Sequence, residues 1–391
     1  MKNLLIALGL GLISQSALAQ SSTSAWTGTW ATAVEWTGPG DMPKASLSNR
    51  SLREIIHVSI GGQTMRMQLS NIHSKEPVEI KSIFIADAKD SCDIDVKTAK
   101  YLTFSGKKSV TIAPGESVYC DVMTYNLKPL QRLSVTINYG ATTPVNASSH
   151  RGSRTTSYLM QGESKPKTKF VATEKCDHWY NISCLDVQTV QPTPCVAVLG
   201  NSITDGRGST TNLQNRWTDA MAEALDGKAA VLNLGIGGNA VVRGGLSEPA
   251  LKRFDRDVLG QQGVTAVVIF EGVNDLGGMK PNHAEIVKNL QQAYTELIQK
   301  TKAAGKKVYL GTITPFYGNS YYNHFSEAAR LTINDWIRAN KDVDGIIDFD
   351  QLLQDPQNPK ALLPAYSDDG LHGTPAAYKA MGEFAAQKMG L

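Results

Sequence analysis

Concentrated charge is the first thing the chain lacks. Its 39 Lys and Arg against 36 Asp and Glu leave a net charge of +3 over 391 residues, and the cations are scattered with no basic tract. Nucleic acid and anionic membrane surfaces are held by clustered positive charge, so neither is expected as a partner. Long apolar runs are missing too. No stretch reaches the roughly 20 apolar residues that a membrane-spanning helix needs, so no membrane insertion is expected. The 7 His include no His-Glu-x-x-His and no Cys/His finger spacing, which leaves no expected metal site. Glycine is plentiful, yet Gly235-Ile-Gly-Gly-Asn239 fits neither a P-loop nor the Gly-x-Gly-x-x-Gly fingerprint, so no cofactor is expected.

What is present begins with Met1 to Ala19. Lys2, an apolar run from Leu4 to Ile13, and Ala17-Leu18-Ala19 have the form of a signal peptide with cleavage before Gln20, which predicts a secreted or periplasmic protein. Export permits disulfides among the 5 cysteines. The expected pairs are Cys92 with Cys120 and Cys176 with Cys184, leaving Cys195, which opens an apolar strand, as a buried free thiol.

A chain this long predicts about two domains. From residue 20 to 190 the pattern is short alternating segments. Ile55 to Ile60, Thr64 to Leu69, Val78 to Ile85, Val118 to Tyr125, Leu133 to Asn138 and Asn181 to Val190 read as strands, separated by turn residues such as Gly61-Gly62 and Pro114-Gly115. An antiparallel β-sandwich of jelly-roll kind is expected. Trp26, Trp30, Trp36 and Trp179 are its candidates for stacking on sugar rings, with packing in the sandwich core as the competing role. His150, followed by Arg151 and Arg154, is the histidine here to watch for approach to an active site.

Gln191-Pro192-Thr193-Pro194 marks the expected boundary, and in 191–391 the period changes. Strands at Val196 to Leu199, Ala230 to Leu234, Ala266 to Phe270, Val308 to Thr312 and Ile346 to Phe349 alternate with helices, the clearest at Arg216 to Leu225, Ala284 to Ala303, Glu327 to Asn340 and Pro375 to Met389. That alternation predicts an α/β domain with a doubly wound, flavodoxin-like parallel sheet of about five strands. Ligands bind such sheets beyond the carboxyl ends of the strands. Four chemistry-bearing segments fall at strand ends or loops: Gly200-Asn-Ser-Ile-Thr-Asp-Gly206, Leu232 to Asn239, Val267 to Asp275, and Asp368-Asp-Gly-Leu-His372.

In order and chemistry these four segments resemble the SGNH, or GDSL-like, hydrolases, named for Ser, Gly, Asn and His in successive blocks. The resemblance runs from about Pro194 to the end. It departs at Asn201, where the family usually has Asp. It implies acyl transfer with Ser202 as nucleophile, His372 as general base and then acid, and Asp369 orienting the imidazole. Asp368 stands one residue too early for the family's Asp-x-x-His. The implied oxyanion hole is the N–H of Ser202, the N–H of Gly238, favoured over Gly237 because Asn239 follows it, and the amide of Asn274.

Trp-Thr-Gly-Thr-Trp near the N-terminus and Ser-Ile-Thr-Asp-Gly-Arg-Gly-Ser-Thr after the strand look like the secreted arylesterase and acetylxylan-esterase branch. The implied substrate is an acetylated polysaccharide or oligosaccharide. The alternatives are a lipase or lysophospholipase, and a non-catalytic glycan-binding protein. Candidate wall residues are Arg207, Asn239, Phe316, Tyr317, Tyr321 and Tyr322.

Overall fold

A computed structural model describes residues 24–190, 193–245, 247–277 and 283–391. The expected signal peptide and the expected boundary residues Gln191 and Pro192 lie outside the described residues. The N-terminal part is built from two antiparallel sheets. One contains Ser24–Ala31, Ile182–Val190, Gly62–Ser70, Ser117–Tyr119 and Met123–Leu127. The other centres on Arg50–His57, Arg132–Tyr139 and Val78–Asp87. Alternating residues such as Met65, Met67 and Leu69 face inward from one sheet, and Leu133, Val135 and Ile137 from the other, all within one buried core. The Val118 to Tyr125 run is two strands, because the backbone N–H and Sγ of Cys120 both turn toward Met67 and break the ladder there.

All five cysteines are free, which corrects both expected disulfides. Cys120 follows a strand of the first sheet, whereas the loop holding Cys92 is tied by its carbonyl to Arg53 of the second. Cys176 and Cys184 are likewise split between the sheets. Packed sheets stand about 10 Å apart, and a disulfide needs Cα atoms within roughly 7 Å. Cys195 is buried and free, as expected.

The C-terminal part is an α/β domain with a parallel sheet in the order Ala230–Gly235, Cys195–Gly200, Ala266–Phe270, Lys307–Gly311, Gly345–Ile347. Its central strands are buried on both faces, which is why they read as continuous apolar runs. The last strand stops at Ile347, two residues short of its expected end. Asp348 accepts the Gln351 N–H as an N-cap and starts the Phe349–Leu353 helix instead.

A third, three-stranded sheet joins the two parts. It consists of Glu35–Trp36, Ser148–His150 and Trp179–Tyr180, and it carries residues of the antiparallel region to the mouth of the parallel sheet.

Candidate active site

The buried Cys195–Gly200 strand ends at a glycine whose Cβ would overlap Thr204. The chain then turns into the single-turn helix Ser202–Asp205. Asn201 caps that helix, its Oδ1 accepting the Ile203 N–H at 3.0 Å. Asn and Asp cap equally well, so the departure at this position leaves the turn intact. Ser202 is 8% exposed, at the edge of an open cleft of about 330 Å³ that also holds Gly237, Gly238, Asn274, Tyr321, Leu371 and His372.

Ser202 Oγ lies 2.9 Å from His372 Nε2, and His372 Nδ1 lies 2.7 Å from Asp369 Oδ2. The other Asp369 oxygen accepts the N–H groups of Leu371 and His372 at 2.9 and 2.8 Å. Burial opposes ionisation of Asp369. The hydrogen bonds from the His372 ring and from the two N–H groups outweigh it and hold the carboxyl down at about 2. Burial lowers the His372 pKa, with Arg207 and Arg154 adding to the fall and Asp369 opposing it. The imidazole is therefore neutral at neutral pH and free to take a proton.

Two loops complete the cleft. Gly238 has φ 72°, a conformation that L side chains rarely adopt, and its N–H has no partner among the described residues. As the first residue of its helix, Ser202 has no intrahelical acceptor for its own N–H. Asn274 gives one amide hydrogen to the Asn239 carbonyl at 2.7 Å and accepts from Tyr321 Oη at 2.9 Å, leaving its second N–H for the cleft. Asp275 fastens the loops together by accepting the Val241 and Val242 N–H groups at 2.8 and 3.1 Å. A hydroxyl backed by a neutral imidazole and a fixed carboxylate, with N–H donors alongside, is an arrangement that can attack a carbonyl carbon and stabilise the resulting oxyanion.

Of the candidate wall residues, Arg207 and Tyr321 line the cleft. Asn239 is buried and braces its own loop, giving its amide to Ser247 and Glu248 and accepting from Arg253. Phe316 is buried, and Tyr317 packs edge-on against Tyr322. Trp30 and Trp179 stack edge-to-face in the core, and Trp26 lies under the Arg66 guanidinium. Trp36 is the exposed one of the four, at 51%, next to Glu35 of the cleft wall.

Residues 198–380 match the GDSL-like Lipase/Acylhydrolase family. The match covers a little under half of the chain and takes in most of the α/β domain. Among solved structures it is similar to a GDSL-like lipase from Bacteroides thetaiotaomicron VPI-5482, at 22% identity over 51% of this chain and 89% of that one, with a TM-score of 0.38. It is also similar to Est24, a carbohydrate acetylesterase from Sinorhizobium meliloti, at 16% identity over 50% and 98% of the two chains, with a TM-score of 0.38. No curated protein matches the chain.

Four residues at or beside the site were not singled out from the sequence: Asp205, Gly152, Glu35 and Glu271. Asp205 is buried one turn after Ser202. It accepts from His150 Nε2 at 2.8 Å and from Arg154 Nη2 at 2.5 Å, so the antiparallel region grips the Ser202–Asp205 turn of the α/β domain directly. Gly152 passes so close that a Cβ there would fall on the Asp205 carboxylate. Glu35 forms part of the wall, paired to Arg151. Glu271, buried at the end of its strand, receives the Asn201 amide at 3.2 Å. Its signal was a carboxylate closing an apolar strand, a place where an acid must find a partner.

Proposed function

We propose that the protein is a secreted or periplasmic serine carboxylester hydrolase that removes O-acetyl groups from plant polysaccharides. The observation that carries this reading is the unbroken chain from Ser202 Oγ through the His372 ring to Asp369, at 2.9 and 2.7 Å, beside the Gly238 and Asn274 donors. In the proposed cycle Ser202 Oγ attacks the acyl carbon while His372 Nε2 takes its proton. The carbonyl oxygen becomes an oxyanion held by the N–H groups of Ser202 and Gly238 and the amide of Asn274. His372 then returns the proton to the leaving sugar oxygen, giving an acyl-enzyme and a free alcohol. Water, deprotonated by the same imidazole, releases the acid and regenerates the serine. Asp369 keeps the imidazole oriented and offsets its transient positive charge.

A polar alcohol is supported by the cleft lining. Among its described residues are three arginines, two carboxylates, an asparagine amide and a tyrosine hydroxyl, groups able to hydrogen-bond a polar alcohol. Exposed Trp36, the neighbour of Glu35 in the chain, has a flat face suited to a sugar ring. Export rests on the Lys2, Leu4 to Ile13 and Ala17-Leu18-Ala19 pattern.

Labelling by a fluorophosphonate that is abolished in Ser202→Ala tests the nucleophile, and an unlabelled wild-type protein would leave only a glycan-binding role. A chain-length series of nitrophenyl esters tests the acyl group, with fastest turnover of long chains pointing to a lipase. Acetate release from acetylated xylan, pectin and mannan tests the acceptor.

A further inference from the structure

Three guanidinium groups line the cleft, from Arg151, Arg154 and Arg207, with the carboxylates of Glu35 and Asp205, while Asp369 is engaged by the His372 ring. Arg151 is satisfied by Glu35, which meets its Nε at 3.0 Å and its Nη2 at 2.7 Å. Arg154 shares its carboxylate. Asp205 gives one oxygen to Arg154 and the other to His150, and the shielded Arg154 Nε has no hydrogen-bond partner among the described residues. Arg207 makes no ion pair with any described residue, although it is exposed two residues beyond the nucleophile turn and lines the same cleft as Ser202 and His372.

On a convex surface an unpaired arginine would mean only solvation. This one borders the proposed reaction centre, and a second, incompletely paired guanidinium from the antiparallel region borders it too. Both are close enough to His372 for their charge to act on its ring. A fork of N–H donors beside a reacting ester is matched in geometry and charge by a carboxylate, which accepts two parallel hydrogen bonds from one guanidinium.

We propose that the substrate carries a carboxylate close to its scissile ester, as an O-acetylated uronic acid or related acidic sugar does, and that Arg207, supported by the charge of Arg154, receives it. This rests on the esterase reading and narrows it. A neutral acetylated sugar fills the same cleft but leaves Arg207 unanswered. Arg207 is then a specificity residue: it binds the acid of the sugar and takes no part in the chemistry at the acyl carbon.

The test compares acetylated galacturonate oligosaccharides in two forms, with free carboxylates and with the same carboxylates methyl-esterified. 4-Nitrophenyl acetate serves as the neutral reference. For the wild type, kcat/KM on the free acid exceeds that on the methyl ester by about tenfold or more, the size expected of one charge-assisted pair, with the difference in KM. Added salt shrinks the ratio, since an exposed ion pair is screened. In Arg207→Gln the ratio falls to near one, and in Arg207→Lys it is partly kept. A wild-type ratio near one, with 4-nitrophenyl acetate still hydrolysed, overturns this inference and leaves the esterase intact. A ratio undiminished in Arg207→Gln overturns the assignment to Arg207. Failure to turn over any ester removes the esterase reading itself.

Discussion

Asn201→Asp restores the residue that the GDSL-like blocks usually carry, and in this protein it should be harmful only at alkaline pH. Asn201 does two jobs: its Oδ1 caps the nucleophile helix, and its amide donates to Glu271 Oε2 at 3.2 Å. Aspartate keeps the first and reverses the second, setting two buried carboxyl groups face to face. Two full charges at that distance repel by about 5 kcal/mol at an effective dielectric near 20. The pair avoids this by keeping one proton. In the wild type, burial raises the Glu271 pKa to about 8, with Asp275 raising it further while Arg253, 3.7 Å away, and the Asn201 amide pull it down.

Stability tied to the protonated Glu271 is complete below its unfolded value of 4.5 and is lost as pH rises toward about 8, where the native carboxyl ionises and the loss stops. In Asn201→Asp the native pair holds its proton further, so the loss continues. The variant's deficit relative to wild type therefore opens above about pH 8 and grows by ~1.4 kcal/mol per pH unit. Urea unfolding at about pH 6.5 and about pH 9 reads this directly. Adding Glu271→Gln supplies an amide donor for Asp at position 201 and removes the second charge, so the double variant loses the alkaline deficit. A deficit of equal size at both pH values, or a double variant as weak at alkaline pH as the single one, would refute the reasoning.

The rate on a neutral ester should rise with pH as His372 loses its proton, with a midpoint below 6.5, and then stay level through neutrality; a midpoint above 6.5 in kcat/KM contradicts the depressed imidazole. Asn274→Ala should lower kcat by roughly 100-fold to 1000-fold, and a variant nearly as fast as wild type removes it from the oxyanion hole. Asp205→Ala leaves His150 and Arg154 without their buried carboxylate, so it should cost about 3–5 kcal/mol in urea unfolding, against near-neutral behaviour if the contact is incidental. Denatured protein treated with a thiol reagent and no reductant should show all five cysteines reactive, and fewer would restore a disulfide.

The parallel sheet and its helices were legible because burial on both faces leaves uninterrupted apolar runs, as in Val196 to Leu199 and Ala266 to Phe270. Ser202, Gly238, Asn274, Asp369 and His372 could be named together because each sits in a short block at a strand end or loop; the fold brings four of them into one cleft, with Asp369 bonded to the His372 ring. His150, with Arg154 close behind it, was singled out for approach to the site and does reach it, but the partner it would find there was not legible. Nothing local to Asp205 announces that its counter-charges are His150 and Arg154, 55 and 51 residues upstream. The disulfide expectation failed for a related reason: order along the chain said nothing about which sheet would receive each cysteine.

The small sheet of Glu35–Trp36, Ser148–His150 and Trp179–Tyr180 has a practical corollary for anyone cutting the gene. A fragment starting at Cys195 would keep every group of the proposed reaction cycle, yet it would strand Asp205 without counter-ions and strip one flank from the cleft. The two regions share one cleft and one buried ion-pair cluster, so the expected minimal folded unit is larger than the family-matched segment.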